Sequence, residues 1–223
     1  MRIGYYEAAL GSMQQLIRED VNANNLANAG TIGFKKTRIE FTDFLAMRSK
    51  TDLKAGPVHK TGAPLDLAIV GKGFFAVETP DGTLYTRAGN FSIDSEGTLV
   101  NSDGYPVLSS GGNVILPNQY VSIQPDGKII DGKRVLGELQ IVYFGKPEEL
   151  VPVGGTYFKN DPDTNPSMTA EDFEILQGSI EESNVNIVSE IVQLIDTLRT
   201  FEAQQHSLKF FDQMNANVIE KTV

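Results

Sequence analysis

The sequence predicts an α+β fold in which discontinuous N- and C-terminal helices form a coiled-coil-like assembly domain. A central all-β domain of short strands is inserted between them. Three observations lead to this prediction: an apolar stripe near the start of the chain, a longer stripe near its end, and short apolar runs separated by turn residues in the middle. With 223 residues, 40% hydrophobic and 22% charged, the chain has the size and composition of a globular protein.

The N-terminal helix is indicated by apolar residues three or four positions apart, which lie on one face of an α-helix. An Asn-rich junction follows, and we assign residues 1–44 to the helix and this junction. Asn has modest helix propensity, so four at one helix end predict that their amides satisfy helix-end carbonyls and the backbone of a neighbouring subunit. The stripe contains Tyr6, Leu10, Met13, Ile17 and Val21, and the junction contains Asn22, Asn24, Asn25 and Asn28.

The middle of the chain changes to short apolar runs, such as Leu67–Val70 and Phe74–Val77. These runs are bounded by Asp-Gly and Glu-Gly pairs, which are hairpin signals because Gly accepts a positive φ. We therefore predict a connector at 45–62, the central β domain at 63–158, and an acidic return loop at 159–182. The turn pairs include Asp81-Gly82, Glu96-Gly97, Asp103-Gly104, Asp126-Gly127 and Asp131-Gly132.

The C-terminal helix is predicted within residues 183–223, where Ser183, Asn184 and Asn186 precede a long apolar stripe and are good N-caps. The stripe is too large for the narrow N-terminal one to cover. We expect the two ends to become stably helical only when other subunits bury them; the alternative is an intramolecular coiled-coil stalk. The stripe contains Ile187, Ile191, Leu194, Leu198, Phe201, Leu208, Phe211, Met214 and Val218, and a second row contains Val188, Val192 and Ile195.

Composition excludes several classes of protein. The formal net charge of −10 argues against nucleic-acid binding, whose electrostatic footprint is basic. Without cysteine there is no disulfide framework, thiolate zinc site or thiol nucleophile. The first residues lack a basic region followed by an apolar run, so we expect no secretory signal peptide. No stretch of about 18 apolar residues occurs, so we expect no transmembrane helix.

Catalytic, cofactor and metal sites are not expected. His59 and His206 lack the spacing of a metal motif, and Gly71-Lys72-Gly73 is not a phosphate-binding loop. Three aspartates could in principle pair as acid and base, but turn chemistry explains two of them, Asp94 and Asp103. The third is Asp66.

Charge is distributed unevenly along the chain. Residues 35–60 hold seven Lys or Arg, whereas residues 161–190 hold eight Asp or Glu and no Lys or Arg. One hypothesis is that the basic connector of one subunit faces the acidic approach of a neighbour and sets the register of a head-to-tail helix. The alternative is an ordinary solvated surface.

Four ordered motifs extend over nearly the whole chain. They are Gly11-Ser12-Met13 with Ala23–Asn28, Thr31 and Gly33-Phe34-Lys35, then Thr61–Ile69 running into Gly71–Phe75, then Tyr85–Phe91, and last Gln177–Asn186. Together they make the sequence resemble the flagellar basal-body rod and hook protein family. The short connector is most similar to the proximal rod members, with the distal rod members as the near alternative.

This resemblance implies a non-enzymatic subunit of the bacterial flagellar rod. Family members leave the cell unfolded through the flagellar type III export apparatus without a cleaved signal peptide, and assemble into a tube that spans the periplasm. The expected partners are copies of the chain and other rod proteins, with hook and ring components possible, and no cofactor or nucleic acid. The expected assembly residues are Leu10, Met13, Ile17, Val21, Ile191, Leu194, Leu198, Phe201 and Leu208 in the tube wall and Asn24, Asn25, Asn28, Asn184 and Asn186 at the helix ends.

A rival interpretation comes from another functional class. It is a secreted β domain that binds a ligand and is carried on a homo-oligomeric coiled-coil stalk. It predicts closed oligomers of fixed number and a concave site on the β domain. A third interpretation, a cell-wall glycosidase, requires two facing carboxylates.

Overall fold

The computed structural model describes three stretches of the chain, residues 2–43, 46–170 and 172–220. The predicted domain limits at residues 44 and 45, and Glu171 of the predicted acidic loop, lie outside the described residues. Within the described part, the chain forms two α-helices, α1 (Arg2–Ala27) and α2 (Ile187–Glu220), a 3-10 helix (Pro147–Glu149) and nineteen strands in seven sheets.

The chain divides into two compact units. The helical unit is made of Met1–Ala29, Thr37–Lys50 and Val185–Val223, and the β unit is made of Gly30–Lys36 and Thr51–Asn184. In the helical unit, α1 and α2 contact each other and α1 also contacts β1. The two strands that follow α1 pair with each other: β1 (Thr37–Asp43) and β2 (Ala46–Thr51).

The predicted fold class is wrong in its helical part, because the described residues of the two helices show no coiled-coil-like assembly domain. A coiled coil packs its regularly spaced apolar side chains between the helices. Here Met13 and Ile191, both members of the predicted stripes, are 61% and 42% exposed. The buried helical residues are instead polar: Ser12, Asn22, Asn25, Glu190 and Thr197. The periodicity located both helices but did not identify the side chains between them.

The predicted central β region is present. Its strands are β3 (Val58–Lys60), β4 (Leu67–Gly71), β5 (Phe74–Thr79), β6 (Gly82–Thr86), β7 (Ser92–Ile93), β8 (Leu99–Val100), β9 (Leu108–Ser109), β10 (Gly112–Asn113), β11 (Ser122–Ile123), β12 (Lys128–Asp131), β13 (Arg134–Glu138), β14 (Ile141–Phe144), β15 (Val151–Gly154), β16 (Tyr157–Lys159), β17 (Ser167–Thr169), β18 (Phe173–Gln177) and β19 (Ser179–Glu181).

The largest sheet is six-stranded and antiparallel, with the strand order β15-β16-β6-β5-β14-β17. Its central strand β5 is buried over Phe74–Val77. Alternate side chains of a strand point to opposite faces, and those of β5 accordingly enter two apolar clusters. Phe75 and Val77 belong to the larger cluster, with residues such as Leu67 and Ile129, while Phe74 and Ala76 pack with Phe144 and Phe158.

Two further pairings join distant parts of the chain. Strand β18 pairs with β4, and β19 pairs with β3, both antiparallel. The segment that precedes α2 is therefore hydrogen-bonded to the segment that follows the N-terminal junction in sequence. Strands from the early and late parts of the β unit are thus paired with each other.

Several predicted turn pairs lie between paired strands. Asp131 pairs with Arg134 across the two-residue loop Gly132-Lys133, and Gly132 has a φ of +61°. Asp94 supports the turn between β7 and β8, where its Oδ1 accepts hydrogen bonds from the backbone N–H groups of Glu96 at 2.9 Å and Thr98 at 2.8 Å. A short carboxylate side chain and a positive-φ glycine thus set the turns.

Candidate assembly site

The predicted tube-wall residues of α1 are only partly covered within the helical unit. Leu10 and Val21 are half-buried, whereas Met13 and Ile17 are exposed. The adjacent Leu16 is also exposed. The side chain of Tyr6 lies outside the described residues.

The predicted residues of α2 follow the same pattern. Ile191 and Leu198 are exposed, and Leu194, Phe201 and Leu208 are half-buried. Burying a Leu or Ile side chain fully is worth about 1.5–3 kcal/mol, so this face retains a large unused driving force for association. The side chains of Phe211 and Val218 lie outside the described residues. Other exposed apolar residues of α2 are Ile187, Val188, Val192, Ile195, Phe210 and Met214.

The contact between the two helices is polar and close. A Cβ atom at Gly11 would lie 2.7 Å from Nε2 of Gln204, and Asn25 at the other end of α1 contacts Glu190 near the start of α2. The helices therefore run antiparallel. Polar residues take part in both of these contacts, while apolar residues such as Met13 and Ile191 are left uncovered by the partner helix.

The Asn residues at the end of α1 differ in their surroundings. Asn25 is completely buried: its Nδ2 donates to the carbonyl O of Thr37 at 2.8 Å, and its Oδ1 accepts from the Thr37 N–H at 2.9 Å. Asn28 donates from Nδ2 to the Asn24 carbonyl at 2.9 Å, which satisfies an acceptor in the last turn of the helix. The Asn24 side chain is exposed.

The two Asn residues before α2 act on the backbone. Asn186 caps α2, because its Oδ1 accepts from the N–H of Ser189 at 3.0 Å. In the β unit, Asn184 accepts from the N–H of Lys36 at 2.7 Å and donates to the carbonyl groups of Asp52 at 2.7 Å and Lys54 at 3.0 Å. These amides tie segments of one chain together, and their contact with neighbouring subunits stays a prediction.

A buried ion cluster in the β unit was missed by the sequence reasoning. The Glu181 side chain is 1% exposed and forms ion pairs with Lys35, through Nζ, and with Arg87, through a nitrogen 3.3 Å away. The Gly56 N–H also donates to Glu181 at 2.8 Å. Lys35 and Glu181 come from the basic and acidic stretches for which one hypothesis was contact between subunits and the alternative a solvated surface; these two residues pair inside one chain.

The two cations of this cluster also donate hydrogen bonds to backbone carbonyls. Lys35 Nζ donates to the Lys54 carbonyl at 2.8 Å, and Arg87 donates to the carbonyls of Ile69 at 3.1 Å and Gly71 at 2.9 Å. Burial lowers the pKa of the Lys35 ammonium below 10.5, and the Glu181 carboxylate opposes that shift. Burial likewise lowers the pKa of Arg87. The cluster thus joins five segments of the β unit, which contribute Lys35, Lys54 and Gly56, Ile69 and Gly71, Arg87, and Glu181.

A signal for this cluster was available in the sequence. Lys35, Arg87 and Glu181 each lie inside one of the motifs that carry the family resemblance. Two of these motifs contribute a cation and the third contributes a carboxylate. Such residues are candidates for one buried network, since an unpaired buried charge is very costly. Periodicity cannot reveal such a network, because its members are 52 and 94 positions apart, counted as 87 − 35 and 181 − 87.

The residues considered for catalysis are separated and have structural partners. Asp66 accepts a hydrogen bond from the Thr61 hydroxyl at 2.5 Å, and Asp103 accepts one from the Tyr157 hydroxyl. His59 Nδ1 lies 3.9 Å from a Glu182 carboxylate oxygen, and both side chains are about half exposed. His206 is exposed on α2. Among the described residues, no three His, Asp or Glu side chains come together as a metal site.

Neither α-helix within the described ranges combines the length and apolar character needed to cross a membrane.

Comparison with known proteins gives matches to two family models. The Flagellar hook protein FlgE/F/G D1 domain matches residues 68–130, which lie in the β unit. The Flagellar basal body rod FlgEFG protein C-terminal matches residues 176–220, which include β19 and α2. The first match contains Arg87, and the second contains Glu181 and Glu190.

Relatives with the same family names match nearly the whole chain. The Flagellar basal-body rod protein FlgF of Mesorhizobium japonicum is 35% identical, over 91% of this chain and 90% of the relative. FlgG of Bacillus subtilis is 31% identical over 94% and 95%, and FlgF of Caulobacter vibrioides is 33% identical over 95% of both chains. Such identity over such coverage confirms the resemblance and the expectation of a structural, non-enzymatic protein. The chain therefore belongs to the family of flagellar basal-body rod proteins, as a structural component of the flagellum.

Proposed function

We propose that this rod-family protein is a segment of the flagellar drive shaft that assembles through the outer faces of α1 and α2. Other subunits cover these faces, and the resulting tube wall transmits torque across the periplasm and encloses part of the export channel. The similarity to both FlgF and FlgG relatives is compatible with a place in the proximal rod, with the distal rod as the near alternative.

The observation that carries this proposal is that the helix pair buries polar side chains and exposes apolar ones. Buried polar residues lie between the helices, while Met13, Ile191 and Leu198 are exposed. Large exposed apolar patches on a folded protein mark interaction sites. In a rod, the apolar helices of further subunits would cover such a face.

The partners and route follow from this role. We propose contacts with copies of the chain and other rod proteins, with hook and ring components as further candidates. Export through the flagellar type III apparatus, without cleavage of a signal peptide, would deliver the chain to the periplasm-spanning rod. In a heterologous contact, one face of a subunit binds a different face of the next subunit. When the rotation between them does not close a ring, such contacts build an open helix, which is the geometry that a shaft requires.

The rival function, a ligand-binding domain on an oligomeric coiled-coil stalk, is less well supported. It requires an apolar seam between paired helices, whereas the fully buried residues among the described part of the two helices are polar. A cleft of about 380 Å³ in the β unit is lined by residues such as Asp126, Glu138 and Phe173. Its Asp126 carboxylate pairs with Lys128 at 2.6 Å.

A charge placed on the outer face tests the proposal. Ile191→Asp is compared with Gln193→Asp, which adds the same charge at an exposed polar position on the same helix. Both proteins should fold as the parent does, because both positions are exposed. In cells whose own copy is deleted, Gln193→Asp should restore swimming and complete basal bodies, while Ile191→Asp should not. Normal swimming with Ile191→Asp would refute helix-face assembly.

A further inference from the structure

Three polar groups form a buried contact at one end of the helical unit. Asn25 lies near the end of α1, Thr37 begins β1, and Glu190 lies in the first turn of α2. Asn25 Nδ2 donates to Glu190 Oε2 at 3.2 Å and to the Thr37 carbonyl at 2.8 Å, and Asn25 Oδ1 accepts from the Thr37 N–H. Asn25 and Glu190 are both 0% exposed. One amide therefore connects three chain segments with no access to water.

Stability alone does not explain a carboxylate in this position. Replacing buried polar or ionic groups with apolar side chains of similar volume is often neutral or stabilising. A buried polar pair is retained in several helical proteins because it specifies how the helices align. The Asn25 side chain suits that task, because its donor and acceptor are both matched to Thr37 and its donor also reaches Glu190.

The apolar rows of α2 cannot specify the alignment by themselves. Ile187 and Ile191 are exposed, so they cannot fix the position of α2 against α1. A slide of α2 by one helical turn, about 5.4 Å, would leave these side chains about as exposed as before. The same slide would separate Glu190 from Asn25 and remove the buried hydrogen bond between them, which is costly.

We propose that Asn25 and Glu190 are register-determining residues, which fix the axial position of α2 against α1 and β1. In the rod, this would fix which apolar residues each subunit presents to the next; that last step rests on the proposed function, whereas the alignment within one chain does not. The contacts that we assign to Asn25 thus lie within its own chain.

Distance measurement on the isolated full-length chain tests the alignment. The chain has no cysteine, so spin labels can be placed only at introduced sites, Ala23→Cys on α1 and Gln213→Cys on α2, both exposed. Because Asn25 lies opposite Glu190, these two sites are far apart along the helix axis, and a slide of α2 changes their separation by nearly its full length. The variant is Glu190→Met, which keeps the bonds between Asn25 and Thr37. The controls are Glu190→Gln, which can still accept from Asn25, and Thr197→Val at another buried polar position of α2.

The parent and both controls should give one narrow distance distribution. Glu190→Met should keep its helical circular dichroism and gain a second population displaced by about 5 Å, one helical turn. A single unshifted distance in Glu190→Met would overturn the proposal, as would loss of helical structure, since Glu190 would then serve stability. Because no assembly is involved, these outcomes are independent of the swimming test with Ile191→Asp.

Discussion

Removing the charge of Glu181 is the sharpest test of how the β unit is held together. Glu181→Gln keeps the size of the side chain and an acceptor for the Gly56 N–H, which lies 2.8 Å from the carboxylate. The change leaves two cations, Lys35 and Arg87, whose side chains are 0% and 6% exposed, without their counter-ion. The perturbation is therefore electrostatic and involves little change in packing.

The expected cost is large because the carboxylate serves two buried cations. Breaking a buried ion pair by removing one partner costs about 3–5 kcal/mol, since the remaining charge is desolvated and unpaired. For a unit of this size, about 2–4 °C of melting temperature corresponds to each kcal/mol. We expect Glu181→Gln to lower the melting temperature of the β unit by about 6–20 °C.

The neighbouring residue supplies a matched control. Glu182→Gln removes the same charge one position later, where the side chain is 49% exposed and its neighbour, His59 Nδ1, is 3.9 Å away. An exposed pair of this kind is worth about 0–1 kcal/mol. Urea and thermal unfolding of the three proteins, followed by far-ultraviolet circular dichroism, give the comparison. Equal midpoints for Glu181→Gln and Glu182→Gln would refute the role given to the buried cluster.

Two further predictions concern the β unit. Burial and the hydrogen bond to Asp103 raise the pKa of the Tyr157 phenol above 10.0, so its contribution to stability should be complete below pH 10 and decline above it as the unfolded chain loses the proton first. Absorbance at 295 nm follows tyrosine ionisation during an alkaline titration, and this chain has no Trp to disturb it. Tyr157→Phe should lose only the highest-pH part of the absorbance rise, and a loss near pH 10 would contradict this. Gly89→Ala should lower the unfolding midpoint strongly, because its Cβ would lie 1.7 Å from the Leu67 carbonyl oxygen, whereas Gly30→Ala, with no atom within 4 Å, should not; similar midpoints would be the contrary result.

Local sequence signals were sufficient where the structure depends on neighbouring residues. Asp-Gly and Glu-Gly pairs located turns such as those at Gly97 and Gly132, because turn geometry is decided within about four residues. The helical periods located α1 and α2, whose bounds are Arg2–Ala27 and Ile187–Glu220. The family motifs identified the class of protein, which the relatives confirm.

Contacts between distant segments were beyond those signals. A period of three and four predicts that a helix has an apolar face, but not that the face packs against the partner helix. Here buried Asn25 and Glu190 lie between the helices and Ile191 lies outside, so the coiled-coil prediction was wrong. Glu181 was assigned to the acidic return loop at 159–182, because its partners Lys35 and Arg87 come near it only in the fold.

Chemical labelling at the outer helix face tests the central claim most directly. Ile191→Cys provides a single thiol on α2 in a chain without native cysteine, and the native position is exposed. In the purified chain, a maleimide should modify Ile191→Cys rapidly. In basal bodies isolated from cells that swim with this variant, the same thiol should be protected, because neighbouring subunits cover it. Equal labelling of Ile191→Cys in the free chain and in basal bodies would contradict assembly through this face.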